Sequence, residues 1–416
     1  MNYIDELIKK HCPDGVSYKP FGQLATIVRG ASPRPIKNFI TLDSSGINWI
    51  KIGDVKPGIK YITETAEKIT IDGAKKSRYV HAGDFILSNS MSFGRPYILK
   101  INGCIHDGWL AISDFQKTFL PDFLYHLLNS NTYQSTMRQK ASFGGAVQNL
   151  NADIIRDLEM PLVPLEVQRE IVRILDSFTS LTAELSAELS ARQKQYEYYR
   201  DLLLSFKNID NITDRQTDRQ TDRQSIIKLL LYVNGFAWVT LNDISQNCDN
   251  LRKPITSGKR ESGAYPYYGA SGIVDYVKDF IFDGDYLLIS EDGANLLTRN
   301  TPIAFSISGR NWVNNHAHVL KFDTYELRRY VEFYLNSIDL SSYISGGAQP
   351  KLNQKNLNRI PIPMPAPSEC KRIVSILDRF DTLCNDLSAG LPAEIAARQQ
   401  QYEYYRDKLL TFKELT

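Results

Sequence analysis

The sequence predicts an α/β protein with two α/β domains in a pseudo-twofold arrangement, joined by two long antiparallel helices that form a coiled coil. Three observations support this prediction: an internal repeat, two matching apolar stripes with helical spacing, and short apolar runs that follow glycine turns. The chain has 416 residues, and 43% of them are hydrophobic, enough for more than one core.

The internal repeat is clearest near the end of each half. The segment RQKQYEYYRD at 192–201 recurs as RQQQYEYYRD at 398–407, and IVRILDSF from Ile171 recurs as IVSILDRF from Ile373. Shorter matches pair Gly144-Gly145-Ala146 with Gly346-Gly347-Ala348, and Leu150-Asn151 with Leu352-Asn353. The chain therefore consists of two copies of one unit, each a variable globular part followed by a nearly identical helical part.

The repeat divides the chain into five predicted segments. They are a first variable domain at 1–163, a central long helix at 164–207, a tether at 208–232, a second variable domain at 233–366 and a C-terminal helix at 367–416. Within the variable domains, strands are predicted at Phe85–Leu87 and Tyr286–Ile289, each after a Gly-Asp turn. Amphipathic helices are expected near 122–129 and 326–336, each leading towards a Pro-rich strand.

The helical parts carry apolar residues mostly three or four positions apart, which predicts long helices. In the first copy these residues are Phe178, Leu181, Leu185, Leu189, Tyr196, Tyr199, Leu203 and Phe206. A helix from about Leu165 to Lys207 would be roughly 60 Å long, more than one small domain needs. The second copy has four extra residues near Gly390-Leu391-Pro392, where we expect the helix to break and restart.

A four-residue repeat, TDRQTDRQTDRQ, occupies Thr213–Gln224. It has no apolar residue and predicts a solvated tether. The repeat also matches translation of a tetranucleotide tract, ACAG, read in successive triplets. We hypothesise a slippage-prone tract whose gain or loss of one unit would shift the reading frame, and a plain linker remains the alternative.

Composition and motifs argue against a catalyst. The chain has no phosphate-binding loop, H-E-x-x-H, G-x-S-x-G or Rossmann glycine fingerprint, and no Pro-Pro pair of the kind found in amino-methyltransferase motifs. Its five cysteines are scattered, which argues against a zinc site or a disulfide framework. No signal peptide or membrane span is apparent, so we expect a cytoplasmic protein. The formal net charge of +2 neither indicates nor excludes nucleic acid as a partner.

The repeated helix ending QYEYYRD, the stretch GLPAEIAAR at 390–398 and the entry segment GVSYKPFGQLATIVRG at 15–30 resemble specificity subunits of type I restriction-modification systems. The resemblance covers the whole chain. It implies that each variable domain is a target-recognition domain for one half of an asymmetric bipartite double-stranded DNA sequence. It also implies that the helices set the spacer and dock two methyltransferase subunits, with restriction translocase-nuclease subunits added for cleavage. The complex would use S-adenosylmethionine, ATP and Mg²⁺, with no cofactor in this chain.

Arginine and lysine beside small polar residues in loops are the candidate DNA contacts, because arginine forks fit guanine edges and phosphates. In the first domain the candidates are Arg29, Ser32, Arg34, Ser90, Ser92 and Arg95. In the second domain they are Arg252, Lys253, Ser257, Lys259, Arg260, Asn295, Arg299 and Arg310.

The repeated helix ends supply candidate docking residues that lie off the apolar stripe. They are Glu197, Tyr198, Arg200 and Asp201, with counterparts Glu403, Tyr404, Arg406 and Asp407. Near-identity of the two sets suggests that each presents the same surface to an identical subunit. The alternative is that these residues only brace the helix pair.

Three other functions compete with this interpretation. The nearest is the specificity subunit of a bipartite type II system that cleaves on both sides of its site. The others are a self-contained modification enzyme, which the missing motifs oppose, and a coiled-coil scaffold that binds no DNA.

Overall fold

A computed structural model describes residues 2–55, 58–89, 93–141, 150–205, 235–346 and 349–415. The chain forms two compact units. The first unit comprises Met1–Ser186 and Glu394–Thr416, and the second comprises Ala187–Ala393. Both mix helices with sheets, so the predicted α/β class is confirmed. The TDRQ repeat at 213–224 lies outside the described residues, as do Ser90 and Ser92.

Helices of very different lengths accompany the sheets. Those before residue 206 are α1 (Asn2–His11), α2 (Ile71–Lys75), α3 (Pro121–Asn129), α4 (Asn131–Ala141), α5 (Ala152–Arg156) and α6 (Leu165–Leu204). Those after residue 234 are α7 (Leu241–Ile244), α8 (Asn295–Thr298), α9 (Tyr325–Ser337), α10 (Gln354–Leu357), α11 (Pro367–Asn385) and α12 (Leu391–Leu409). The long helix predicted from Leu165 is therefore present as α6.

The strands are short. Those of the first unit are β1 (Tyr18–Pro20), β2 (Thr26–Arg29), β3 (Ile40–Thr41), β4 (Ile47–Ile50), β5 (Tyr61–Ile62), β6 (Glu67–Ile69), β7 (Arg78–Val80), β8 (Phe85–Ser88), β9 (Pro96–Leu99), β10 (Gly103–Ile105), β11 (Trp109–Ser113) and β12 (Glu159–Pro161). Those of the second unit are β13 (Phe236–Val239), β14 (Gln246–Asn247), β15 (Ser262–Gly269), β16 (Gly272–Val277), β17 (Phe282–Asp283), β18 (Tyr286–Ser290), β19 (Ala304–Ile307), β20 (Arg310–Val313), β21 (Ala317–Lys321) and β22 (Ile362–Pro365).

Each unit arranges its described strands in two larger sheets and one two-stranded ribbon. In the first unit the orders are β3-β6-β4-β10-β7, β2-β11-β8-β9-β5 and β1-β12. In the second unit they are β14-β21-β18-β19, β16-β15-β20-β17 and β13-β22. The ribbons pair the entry segment of each copy with its Pro-rich strand, as Tyr18 pairs with Pro161 and Phe236 with Pro365. A two-stranded ribbon tolerates proline because it leaves edges unpaired.

The repeated Leu-Asn pairs have a structural explanation. Asn151 caps α5 by accepting the N–H of Ile154 at 2.9 Å, and Asn353 caps α10 by accepting the N–H of Asn356 at 2.9 Å. The preceding Leu150 and Leu352 are buried in the cores of their units. A capping amide satisfies a backbone donor that the helix start would leave unpaired, so the pair fixes the position of the following helix.

The end of each helical part packs into the core of the unit that contains the other copy's variable domain. Residues 165–186 of α6 belong to the first unit, whose core also contains Tyr402, Leu409 and Leu410 from the end of the chain. Residues 187–204 belong to the second unit, whose core contains Leu204 together with Ile373 and Leu377 of α11. Each unit therefore needs the helix end of the other sequence copy to complete its core.

In the second unit, α6 and α11 run antiparallel. Phe380 packs against Tyr196 and Tyr199, whereas Cys384, one turn further along α11, lies in the electrostatic field of Arg192, which precedes both tyrosines on α6. Contacts that move forward on one helix and backward on the other define opposite chain directions.

The second helical part is broken where the sequence predicts. Helix α11 ends at Asn385, and α12 begins at Leu391. Between them, Asp386 Oδ1 accepts hydrogen bonds from the Ser388 N–H and hydroxyl at 2.7 and 2.6 Å. A Cβ at Gly390 would lie 2.5 Å from the Thr382 carbonyl oxygen, so the turn requires glycine here. Pro392 falls in the first turn of α12, where its missing N–H costs no helical hydrogen bond.

Candidate nucleic-acid interface

In the first unit, predicted DNA contacts converge on the turn between β10 and β11. Ser32 Oγ donates to Asp107 Oδ1 at 2.6 Å, and Arg34 Nη2 donates to Asp107 Oδ2 at 3.3 Å. Arg29 Nε donates to the Asp107 carbonyl oxygen at 3.1 Å, and Asn89 Nδ2 donates to the same oxygen at 2.8 Å. We call Arg29, Ser32, Arg34, Asn89 and Asp107 the Asp107 cluster.

Strand pairing brings the cluster together. Strands β2 and β8 flank β11, so the residues at the ends of β2 and β8 meet the turn that precedes β11. The Gly30 N–H donates to the Trp109 carbonyl oxygen at 2.8 Å, and the Ala31 N–H to the Ile105 carbonyl oxygen at 3.2 Å. A Cβ at Gly30 would lie 2.1 Å from the His106 carbonyl oxygen, so only glycine permits this approach. The loop that carries Ser32 and Arg34 is thus tied to the sheet by its backbone.

The charges of the cluster follow from its surroundings. The hydrogen bond from Ser32 is the largest influence that lowers the pKa of the Asp107 carboxyl, and it outweighs burial, which acts in the opposite direction. Asp107 is therefore ionised at neutral pH. The side chain of Arg34 is 82% exposed and that of Asp107 is 42% exposed, so the ion pair faces solvent. Burial lowers the pKa of the neighbouring His106 imidazole, which favours its neutral form.

Sequence reasoning missed Asn89 and Asp107. Each had a local signal, since Asn89 lies two residues after the predicted strand Phe85–Leu87 and Asp107 precedes Gly108 in the segment HDGW. Arg95, another predicted DNA contact of the first domain, is exposed, and its charge and hydrogen bond to Tyr97 oppose the burial that raises the Tyr97 pKa.

The corresponding position in the second unit has different chemistry. The Leu352 N–H donates to the Glu291 carbonyl oxygen at 2.7 Å, just as the Leu150 N–H donates to the Asn89 carbonyl oxygen at 2.9 Å. Glu291 pairs with Arg252 at 2.7 Å and with Lys351 at 3.2 Å. Arg252 also donates to the Ala317 carbonyl oxygen at 2.7 Å, and its side chain is only 14% exposed. Most of the Arg252 guanidinium is thus engaged inside the protein.

The other arginines predicted in the second unit are held in separate places. Arg260 stacks over the Tyr267 ring at 4.4 Å and pairs with Asp275 at 3.2 Å. Arg310 lies 4.8 Å above the Phe280 ring and pairs with Asp283 at 3.2 Å.

The remaining candidates differ in exposure. Arg299, in the left-handed region with φ of 50°, donates to the carbonyl oxygens of Leu335 and Asn336. Asn295 exchanges two hydrogen bonds of 3.0 Å with the Thr301 backbone. Lys253, Ser257 and Lys259 are exposed. Exposed side chains are the ones free to meet a ligand, so these three and Arg310 remain the more accessible candidates of this unit.

The predicted docking residues divide into two groups. Arg406, 8% exposed, donates to Asn131 Oδ1 at 3.2 Å, and Asp407 accepts from Asn131 Nδ2 at 2.6 Å. These two residues brace the start of α4, which is the alternative role for the helix ends. Arg200 pairs with its neighbour Asp201 at 2.8 Å. Glu197, Tyr198, Glu403 and Tyr404 are exposed, with Tyr198 at 64% and Tyr404 at 61%.

The described residues thus form two sheet-bearing units, one for each copy of the sequence repeat. A family model described as the type I restriction modification DNA specificity domain matches residues 13–192 and again residues 234–397. The chain belongs to this type I restriction-modification specificity family.

Curated relatives agree with the family model. The EcoprrI specificity subunit of Escherichia coli is 27% identical over 403 residues, covering 93% of this chain and 92% of that protein. The EcoR124I/EcoR124II specificity subunit of E. coli is 35% identical over 258 residues, 61% of each chain. A putative type I specificity subunit of Haemophilus influenzae is 36% identical over 195 residues, 46% of this chain. The chain spans about half the length of the Haemophilus protein and 61% of the EcoR124I/EcoR124II subunit. These relatives are type I subunits, which does not favour the type II alternative.

Solved structures share the fold. The S subunit of a type I system from M. genitalium is 16% identical, with 96% of each chain covered and a TM-score of 0.54. A chain from a structure of type I R-M complex assembly is also 16% identical, with 96% and 98% covered and a TM-score of 0.57. Across the described residues, no helix is both long and apolar enough to span a bilayer.

Proposed function

We propose that the chain is the DNA sequence-specificity subunit of a type I restriction-modification complex. Each unit would read one half of an asymmetric bipartite double-stranded DNA target. The observation that carries this proposal is that the specificity-domain model matches the chain twice, once for each copy of the repeat. The Asp107 cluster supports it, because its two exposed arginines carry the donors that read guanine edges and phosphates.

The two half-sites should differ in sequence. The larger sheets of the first unit have five described strands each, whereas those of the second unit have four. The turn that carries Arg29 and Arg34 in the first unit corresponds to a turn in the second unit where Arg252 is drawn inward by Glu291. Two DNA-binding units that present different hydrogen-bond donors at corresponding positions should recognise different bases.

The helices would set the distance between the half-sites. Helix α6 has 40 residues, and a rigid helix is a suitable spacer because its length scales directly with residue number. Half-sites about one helical turn of DNA apart, roughly 10 bp centre to centre, could be met from one face of the duplex.

The reaction would belong to partner subunits. Two methyltransferase subunits would supply S-adenosylmethionine-dependent adenine methylation, and restriction subunits would supply ATP- and Mg²⁺-dependent translocation and cleavage. The chain itself would be a non-catalytic subunit without a cofactor, acting on cytoplasmic DNA. Among the described residues, no group of three or more His, Cys, Asp or Glu side chains is arranged to hold a metal ion.

Methylome sequencing of a host that carries this chain with its methyltransferase tests the proposal. We expect one modified motif made of two unlike specific parts separated by unspecified bases. The double variant Lys253→Ala/Lys259→Ala, in the second unit, should reduce modification without changing the base preference of the first part. An uninterrupted modified motif, or methyl transfer by the isolated chain, would contradict the proposal.

A further inference from the structure

We propose that Asp107 is a positioning residue of the first DNA reader, which sets Arg29 and Arg34 in place for base recognition. This inference rests on the proposed function and deepens it, because it names the group that organises one half-site. It also explains why a carboxylate lies at a surface expected to meet phosphates.

Asp107 connects four side chains from two other segments of the chain. Its Oδ1 accepts from Ser32 at 2.6 Å, and its Oδ2 accepts from Arg34 at 3.3 Å. Its carbonyl oxygen accepts from Arg29 at 3.1 Å and from Asn89 at 2.8 Å. Both arginines of the RGASPRP segment are therefore held by hydrogen bonds to one residue of another loop.

The orientation of each arginine leaves donors available for a ligand. Arg29 uses Nε and Arg34 uses one Nη group in the hydrogen bonds found within the described part of the chain. The remaining guanidinium N–H groups could form the paired hydrogen bonds that recognise guanine O6 and N7. A guanidinium held at one edge loses less rotational freedom on binding than a free one, and that lowers the entropic cost of recognition.

The ion pair is poorly suited to stabilise the fold. Arg34 is 82% exposed and Asp107 is 42% exposed, and exposed ion pairs contribute little to folding. The loop backbone is already held by the hydrogen bonds of Gly30 and Ala31 to the sheet. Removal of the carboxylate should therefore disturb the side chains of Ser32 and Arg34, which bond to it, more than the loop.

The anchoring carboxylate would also act against the wrong ligand. Without a partner, Asp107 would repel phosphates, but in the cluster its charge is offset by Arg34 and each carboxylate oxygen accepts one hydrogen bond. A direct role of Asp107 as acceptor for a cytosine amino group would not depend on Ser32, whereas positioning does, so the Ser32→Ala variant separates the two roles.

The test compares modified motifs in hosts that carry the full complex with single variants. We expect Asp107→Asn, Ser32→Ala and Arg34→Ala to relax the same position or positions of one half-site, with about ten-fold loss of preference. The other half-site should be unchanged, and Asp107→Glu should restore part of the preference. The melting temperature of Asp107→Asn should stay close to that of the parent protein, because the ion pair is exposed.

A charge-matched control is available in the same unit. Asp72→Asn removes one negative charge from an exposed ion pair with Lys75 on α2, and it should leave both half-sites unchanged. The inference is overturned if Asp107→Asn leaves the first half-site intact, relaxes both half-sites equally, or relaxes a position that Ser32→Ala and Arg34→Ala do not. A parent protein that yields no bipartite motif would instead refute the proposed function, so the two failures are distinguishable.

Discussion

Phe178 stacks on Tyr405 in the first unit, with ring centroids 5.4 Å apart and ring planes at 19°. The second unit repeats this contact between Phe380 and Tyr199, with centroids 5.7 Å apart and planes at 26°. The phenylalanines occupy corresponding positions of the two sequence copies, and so do the tyrosines. Each unit therefore combines the phenylalanine of one copy with the tyrosine of the other.

This exchange offers a structural reason for the near-identity of the QYEYYRD segments. Tyr402 and Leu409 are buried in the first unit, and Tyr196 and Leu203 pack against the core of the second unit. Two related cores that each accept a similar helix end require similar apolar residues. Core packing therefore accounts for the buried positions of the segment without partner docking.

The stacked pair should contribute to the stability of the first unit. Phe178→Ala removes the ring contact and part of a core, so we expect unfolding to be easier by about 2 kcal/mol. Leu181→Ala, at a side chain that is 37% exposed on the same helix, should cost clearly less. Chemical denaturation measures both values. Additive effects of Phe178→Ala and Tyr405→Ala in a double-mutant cycle would argue against a direct interaction.

A buried charge network joins α9 to α11 in the second unit. Arg329 pairs with Asp378 at 2.9 Å, with Asp381 at 2.7 Å and with Glu332 at 2.7 Å, and its side chain is 12% exposed. Arg329→Met would leave three carboxylates without their shared cation, so we expect a loss of about 3 kcal/mol. Arg372→Met, which breaks the exposed pair with Glu369, should cost less than about 1 kcal/mol. Equal losses for the two variants would contradict this interpretation.

His126 should make the first unit sensitive to acid. Its Nε2 lies 2.8 Å from Asp176 Oδ1 and its Nδ1 lies 3.0 Å from the Tyr402 hydroxyl, and the residue is 1% exposed. Because a carboxylate only accepts, Nε2 carries the proton and the tyrosine donates to Nδ1. Burial is the main cause that lowers the His126 pKa, against the opposing effect of Asp176.

The sign of the pH dependence follows from this shift. The unfolded chain takes up a proton near pH 6.5, whereas the folded protein resists protonation until a lower pH. Stability should therefore fall as the pH decreases from about 6.5 through the lowered folded pKa. Denaturation between pH 7 and pH 5 should show a shallower slope for His126→Gln than for the parent. If the stability of His126→Gln depends on pH as steeply as that of the parent protein, another group causes the effect. His106 is an example, because burial also lowers its pKa.

The exposed tyrosines of the helix ends are the sharper test of docking. We expect Tyr198→Ala/Tyr404→Ala to weaken co-purification with the methyltransferase, because exposed tyrosines are frequent anchors of interfaces. The stability of the isolated chain should not change, since the two side chains are 64% and 61% exposed. Tyr3→Ala, at a side chain of 61% exposure on α1, serves as the control. Undiminished co-purification of the double variant would remove these residues from the docking surface.

The sequence by itself determined the repeat, helix α6, the break before Leu391, the strands near Phe85 and Tyr286, and helices α3 and α9. These features depend on local periodicity, turn chemistry and proline, which act over a few neighbouring residues. Only the tertiary structure decided that Asp107 gathers Arg29, Ser32 and Arg34, that Glu291 draws Arg252 inward, and that each helix end completes the core of the other copy's unit. Such contacts join residues far apart in the chain, and their geometry is set by strand pairing and side-chain packing, which no local pattern specifies.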